Sequence, residues 1–449
     1  MTPPDRERPR PFHPYRDKLR ISPNLRLGIA NTGWLLGDKV VRLGVGLLVN
    51  VWIARSLGPS DFGLLSYALA LTTVLAAIAT VGLPEVLVRD FVREPDRAST
   101  IVASALALRL LGALLALLLA AGIARVARPD EPRALFLVAV LAAGQLAVAV
   151  DVVDQRFQAL SNVRPIVLIR NGAFSLFTLL KICALLLHAS VGTFAALTTL
   201  ELAVVAVLFY WRAQNRGLQF GLSHVCRSEC YRLVHQGWPL LLRLLAIGVY
   251  MRLDQVLIGE LLGDRAVGLY AAAARASEIW HLAPASLVLA IAPQLTRIHQ
   301  RSIVDYEERL VWLFRSFLLV SVGVGVAFTI ASPWIIRLLY GAHYAAAAPV
   351  LAIHVWAGVF VAFGIVANNW LINMGLIRVA LFQALIAAGV SVAVNLIFIP
   401  ILGIIGAAIA LVISQGLSGL LLNAAFRKTR PLFRLQCRAI GLLPSRIMA

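Results

Sequence analysis

The sequence predicts an all-α polytopic membrane protein, and three observations carry that reading. The 449 residues are 60% hydrophobic and only 14% charged, whereas a soluble domain is about 45–50% apolar. The mean hydropathy is +0.84. Apolar stretches of spanning length, for which about 20 residues suffice, follow one another about 12 times with hardly a polar segment between them.

Taken in order, residues 1–30 are Pro-rich and basic, carry no cleavable signal pattern, and read as a cytoplasmic tail. A first set of six spans is expected at Asn31–Ala54, Leu64–Leu83, Thr100–Ala124, Ala134–Val153, Pro165–Leu187 and Val191–Trp211. A basic linker, 212–237, separates them from Trp238–Ile258, Val267–Leu295, Leu310–Ile336, Ala347–Trp370, Leu376–Pro400 and Ile401–Phe426. In the last segment, 427–449, Leu432, Phe433, Leu435 and Ile440 alternate with Arg434, Arg438 and Arg446, the pattern of an amphipathic stretch lying on the membrane surface.

An even number of spans puts both termini on one side, and the arginines say which. With the termini cytoplasmic, the inner connections hold Arg89, Arg93, Arg97, Arg156, Arg164, Arg212, Arg216, Arg227, Arg232, Arg297 and Arg301. The outer ones hold Arg55, Arg265, Arg337 and one awkward cluster, Arg125, Arg128 and Arg133. That bias follows the positive-inside rule. Inner loops and tails thereby explain much of the net charge of +19, and the charges are dispersed among spans with no basic, aromatic-interleaved face of the kind that binds nucleic acid. Four cysteines offer no disulfide framework. The group His224, Cys226, Cys230 and His235 has irregular spacing for zinc, so no metal is expected.

The chain also repeats itself. Leu57, Gly58, Gly63, Leu64 and Ala68 answer to Leu262, Gly263, Gly268, Leu269 and Ala273 at an offset of 205 (263 − 58). Trp34, Leu35 and Leu36 answer to Trp238, Leu240 and Leu241, and Gly192 and Ala196 to Gly403 and Ala407. A duplication of six spans gives two bundles of parallel orientation, 31–211 and 238–426, and carriers built this way hold substrate between their halves near mid-membrane.

Charges inside the spans mark that pathway, since each costs about 2.5–3.5 kcal/mol at a helix centre on insertion scales. The cations are Lys39, Arg42, Arg109, Arg170, Lys181, Arg243, Arg252, Arg275 and Arg315; the anions are Asp38, Glu201, Asp254 and Glu278, with Asp151 near an inner end. Arg170, Arg243 and Arg315 are expected to snorkel. Asp38 and Arg42, four apart, and Arg275 and Glu278, three apart, are spaced to neutralise one another. Cations still outnumber anions, and a positive surplus in a low-dielectric cavity is a site for an anion, best phosphate. Arg42, Arg109, Lys181 and Arg252, then Lys39, are the expected contacts. Asp38, Glu201, Asp254 and Glu278 are either counterions or carriers of a coupling ion.

The run Arg55-Ser-Leu-Gly-Pro-Ser-Asp-Phe-Gly-Leu-Leu-Ser-Tyr67, followed by Gly82-Leu-Pro-Glu-Val-Leu-Val-Arg89, resembles the opening of Wzx-type polysaccharide (O-antigen) flippases. So do Tyr250-Met-Arg-Leu-Asp-Gln255, Leu262-Gly263 and Gly268-Leu-Tyr270, with Asp151–Gln158 and Tyr340–Leu351 similar to later family segments. The resemblance implies the fold of the multidrug/oligosaccharidyl-lipid/polysaccharide (MOP) exporter superfamily, two six-helix bundles in a V around a central cavity. It implies a carrier without cofactor, not an enzyme, in a bacterial inner membrane. Its substrate would be a polyprenyl-pyrophosphate-linked glycan, and its associates the bilayer and a polysaccharide polymerase or assembly machinery. A cation-coupled drug antiporter of the same superfamily is the alternative, but its cavity would be dominated by acids. The topology predicts that alkaline phosphatase fused after Arg97 is inactive and fused after Asp130 is active; the reverse pattern would invert the orientation.

Overall fold

The computed structural model describes the backbone of residues 23–160, 164–215, 221 and 224–442, and their side chains except at 23–41, 43 and 282. The helices are α1 (Pro23–Thr80), α2 (Pro84–Arg93), α3 (Ala98–Ala127), α4 (Pro132–Val148), α5 (Val152–Ala159), α6 (Arg164–Leu186), α7 (Val191–Gln214), α8 (Arg227–Leu262), α9 (Asp264–Glu278), α10 (Leu282–Arg301), α11 (Ile303–Tyr340), α12 (Ala348–His354), α13 (Ala357–Asn373), α14 (Ile377–Leu402), α15 (Ile404–Gly416), α16 (Leu422–Ala425) and α17 (Arg430–Ile440). No strand occurs among the described residues. With no water to satisfy peptide groups in a bilayer, helices that bond internally are the natural spanning element. Two compact units divide the chain, Met1–Gly44 and Val45–Ala449. The described part of the first is helical; the second holds the remaining elements.

Nine helices of the described residues are long and apolar enough to cross a membrane, or ten if Ala342–His354 and Ala357–Asn373, bent by 45°, form one broken span. The two that separate ten from the expected twelve have local explanations. Helix α1 covers the first two expected spans in one element, interrupted only at Gly58, whose φ of 73° and ψ of 173° are open to glycine. Helix α8 contains the seventh, but Arg243, Arg252 and Asp254 lower its apolarity below that of a plain span.

Small residues set how closely the helices approach. On α3, Ala113, Ala116, Ala120 and Ala124 form a stripe at helical spacing that is buried against the Ala134, Leu137, Val138 and Leu141 face of α4. The closest approach lies between the repeated segments. A Cβ added to Gly63 would sit 1.7 Å from the Asp264 carbonyl oxygen, and one added to Gly268 would sit 1.9 Å from that of Pro59. Since 268 − 63 and 264 − 59 are both 205, the contact is reciprocal, as a two-fold relation between a segment and its copy requires. Gly263, the counterpart of Gly58, has φ 81° and ψ 174°, so both copies break their helix with the same backbone geometry.

The terminal segment differs from expectation. Helix α17 does have an apolar face, but Leu432, Leu435 and Ala439 are buried in a cluster with Leu310, Leu313 and Phe314 of α11, not left for lipid. Polar locks fix it there: the Gln436 side chain donates to the Gly419 carbonyl at 2.8 Å and accepts from Asn423 at 3.2 Å.

Gly63→Ala and Gly268→Ala are each expected to destabilise by about 1–3 kcal/mol through overpacking against main chain. Gly122→Ala, where a Cβ meets nothing within 4 Å, is expected to leave the melting temperature in detergent unchanged or raised.

Candidate functional site

A cavity of about 510 Å³ lies between the helices. Its walls come from α1 (Thr73, Ala77, Thr80), α8 (Ile247, Met251, Arg252), the α9–α10 break (Glu278, His281), α12–α13 (His354, Val361) and α15 (Leu411, Gln415). Gly248 lets α8 come close to α1, its would-be Cβ lying 3.3 Å from the Cα of Val74. Helix α9 gives way to a 3₁₀ turn at Ile279–His281, immediately after Glu278, which brings Glu278 and His281 to the same cavity.

The charged centre is a forked pair. Arg252 meets Glu278 through Nη1 to Oε1 at 3.0 Å and Nη2 to Oε2 at 3.1 Å, with each side chain 32% exposed to the cavity. Asp254, two residues on and therefore on the opposite face of α8, is buried; it accepts from the Tyr270 hydroxyl and, at 2.7 Å, from the Gln255 amide. His354 shares a 2.6 Å hydrogen bond through Nδ1 with Ser277 Oγ. The expected Arg275–Glu278 pairing within α9 is thus replaced. Arg275 instead donates to Asn50 of α1 at 2.7 Å and lies over the Phe62 ring at 4.8 Å, while Glu278 faces α8.

Two cations expected at the cavity are placed elsewhere. Arg109 is buried between α3 and the broken α4–α5 helix, donating to Gln155 at 3.2 Å and to the Val148 carbonyl at 3.1 Å. That carbonyl belongs to the turn before the 3₁₀ segment Ala149–Asp151, so the guanidinium satisfies a helix break. Lys181 is held by Glu201 at 2.8 Å across α6 and α7. Arg42 on α1 is half-buried and engaged in an interaction, while the side chains of Asp38 and Lys39 lie outside the described residues. Of the arginines expected to snorkel, Arg315 is exposed. Arg170 instead bridges Asp151 at 3.1 Å and Asp154 at 2.9 Å, and Arg243 donates to Asn368.

Two ionic clusters were not anticipated. At the end of the helices that carries Gly58 and Gly263, Arg128 reaches Glu131 at 2.9 Å, Glu260 at 3.1 Å and Asp264 at 2.6 Å, and stacks 4.0 Å from the Tyr67 ring centroid. The awkward arginine of the third connection is therefore matched by acids of the second repeat. Position 55, the counterpart of 260, is also bonded: Arg55 donates to the Leu338 carbonyl, and Tyr344 donates to that of Ala54 at 2.7 Å. At the opposite end, buried Asp90 and Glu229 are bridged by Arg232, with Arg89 2.8 Å from Asp90 and Arg97 2.9 Å from Glu229. Hydrogen bonding to Glu229 and the charge of Asp90 hold the Arg232 guanidinium above its ordinary pKa despite partial burial. The sequence signal was an acid beside each basic loop, visible only once α8 is known to reach back to α2.

Helices packed around a mostly apolar chamber that carries one ion pair on its wall define a multi-pass membrane protein. The chain belongs to the polysaccharide biosynthesis protein family, whose sequence profile matches residues 29–299. No curated protein sequence matches it. Among solved structures, an inward-facing multidrug resistance MATE family transporter of the MOP superfamily matches with a TM-score of 0.70 at 16% identity, over 88% of this chain and 96% of that one. The lipid II flippase MurJ in an inward closed conformation matches with 0.69 at 12% identity, over 93% and 91%. An outward-facing MATE family transporter of the same superfamily matches with 0.60 at 17%, over 90% and 96%. These likenesses establish the MOP fold.

The placements separate structural from cavity arginines. Arg109→Ala is expected to lower stability by at least about 2 kcal/mol, because it strands a buried carbonyl and amide. Arg252→Ala, which loses a pair one-third exposed to the cavity where water can reach the remaining Glu278, should cost less than that. Thermal melts of the two purified variants check the ranking.

Proposed function

We propose that the protein is a flippase that moves a polyprenyl-pyrophosphate-linked oligosaccharide from the cytoplasmic to the outer leaflet of a bacterial plasma membrane, for assembly of a surface or extracellular polysaccharide. The observation that carries this reading is the Arg252 fork in the cavity of a polysaccharide biosynthesis family member. A guanidinium stays ionised and offers paired donors to phosphate oxygens. Thr73, Thr80 and Gln415 supply hydroxyl and amide groups on the same walls, suited to sugar hydroxyls. The relation in fold to a lipid II flippase supports the same substrate class.

The proposed organisation is two six-helix halves, 31–211 and 238–426, with both termini cytoplasmic. On the arginine count the Gly58/Gly263 end faces outward, and there the repeats meet main chain to main chain under the Arg128 cluster. The cavity extends along α1 from Thr73 to Thr80, towards the cytoplasmic end. A higher TM-score against an inward-facing than an outward-facing relative, 0.70 against 0.60, supports the same state. Transport then consists of breaking the outer contact while the inner end closes, with the halves rocking about the bound head group. The lipid tail stays in the bilayer, because moving each CH₂ from hydrocarbon to water costs about 0.8 kcal/mol. An inside-negative potential favours outward movement of each uncompensated negative charge by about 2.3 kcal/mol per 100 mV. Glu278, the one acid on the cavity wall, is matched by Arg252, so neither charge is in surplus there, and membership of the polysaccharide biosynthesis family favours the glycan substrate over a drug-cation antiporter.

The test is head-group translocation in proteoliposomes with a short-chain polyprenyl-pyrophosphate glycan. Wild type should flip it, and Arg252→Ala should reduce the rate at least tenfold. Equal rates in the two would remove the site assignment, and wild-type inactivity alongside export of organic cations would replace the reading.

A further inference from the structure

The pairing of Arg252 has a consequence for how substrate is held and let go, and it rests on the anion-transport reading above. Glu278 presents two carboxylate oxygens to the two terminal nitrogens of Arg252 at 3.0 and 3.1 Å. This is the same parallel two-bond geometry that the guanidinium would offer two oxygens of a phosphate. Glu278 therefore occupies the anion site with a tethered substitute.

Among the described residues, no other aspartate, glutamate, lysine or arginine lines the cavity. Asp254 is buried with its oxygens taken by Tyr270 and the Gln255 amide. Arg275, three residues from Glu278, is turned towards Asn50. Lys181, with Glu201, and Arg109, with Gln155 and the Val148 carbonyl, are committed away from the cavity. The neighbouring histidine His354 directs Nδ1 to Ser277. A phosphate that takes the fork must displace Glu278 and leave a carboxylate in the same chamber as the bound anion. Both side chains are about one-third exposed to the cavity, so an entering anion can reach the fork.

We infer that Glu278 is a built-in competitor for the pyrophosphate site: it neutralises Arg252 in the empty carrier, is displaced by the anionic head group, and by returning to the fork drives release. Binding energy that would otherwise trap the head group is offset by the displaced charge. An anion site without such a group holds substrate and product alike, and uniform tightness does not help turnover.

The experiment measures binding of inorganic pyrophosphate and farnesyl pyrophosphate to the detergent-purified full chain, alongside flipping in proteoliposomes, for wild type, Glu278→Gln and Glu278→Asp. Glu278→Gln keeps shape and one acceptor but removes the charge. It is expected to tighten pyrophosphate binding about tenfold and to lower the flipping rate, with slower dissociation. Glu278→Asp, which keeps the charge on a shorter arm, should fall between the two. Wild type binding with Glu278→Gln unchanged or weaker, in a variant whose melting temperature matches wild type, would overturn the competitor role and leave the transport reading intact. Should Glu278→Gln fail to fold, Glu278→Asp carries the test, and binding no tighter than wild type overturns the role. Absence of pyrophosphate binding in every folded variant would overturn both. Binding by Glu278→Gln where wild type shows none supports the role.

Discussion

An ionised side chain surrounded by hydrocarbon must be matched or hydrated, and this requirement organises the molecule more than any other. Desolvation of each charge costs several kcal/mol unless partners are supplied. The described part of the chain meets that demand locally almost everywhere: Arg109 on a broken helix, Lys181 on Glu201, Arg170 on two aspartates, Arg128 on three acids. What distinguishes Arg252 is its setting. Its partner stands beside it on the wall of an open chamber, where a third group can intervene.

The second organising relation is the duplication. A segment that touches its own copy must place each residue against a counterpart, and the Gly63–Asp264 and Pro59–Gly268 approaches do so at a single offset. Arg55 and Glu260 occupy corresponding positions and both anchor the opposing repeat, one through a carbonyl and the other through a guanidinium. Chemistry has drifted while placement has persisted.

Much of this was legible in the chain. Apolar windows separated by basic loops gave the spans, because spanning length is fixed by bilayer thickness and not by any partner. The duplication was legible through its repeated glycines, but not that the two copies would meet main chain to main chain there. The break at Gly58 was legible as a repeated Leu-Gly, but not that α1 would run on either side of it as one element. The cavity role of Arg252 and the structural role of Arg109 could not be told apart. Each is a lone arginine in an apolar run, and what lies opposite, a glutamate 26 residues on or a helix break 39 residues on, is set by packing. Local spacing misled at Arg275 and Glu278, where neighbours three apart on one helix found better partners on others. For α17 the amphipathic pattern was correct, but an apolar face reads the same whether protein or lipid covers it.

At the end that carries Gly58 and Gly263, the two repeats approach through peptide groups at positions 63 and 268, beside the side-chain bridges of Arg128. Main-chain surfaces are the same in every sequence, so the peptide part of this contact asks only for the absence of a side chain at 63 and 268. Walls of the chamber, by contrast, are made of side chains and are free to diverge. A lineage can therefore reshape the chamber without altering this contact.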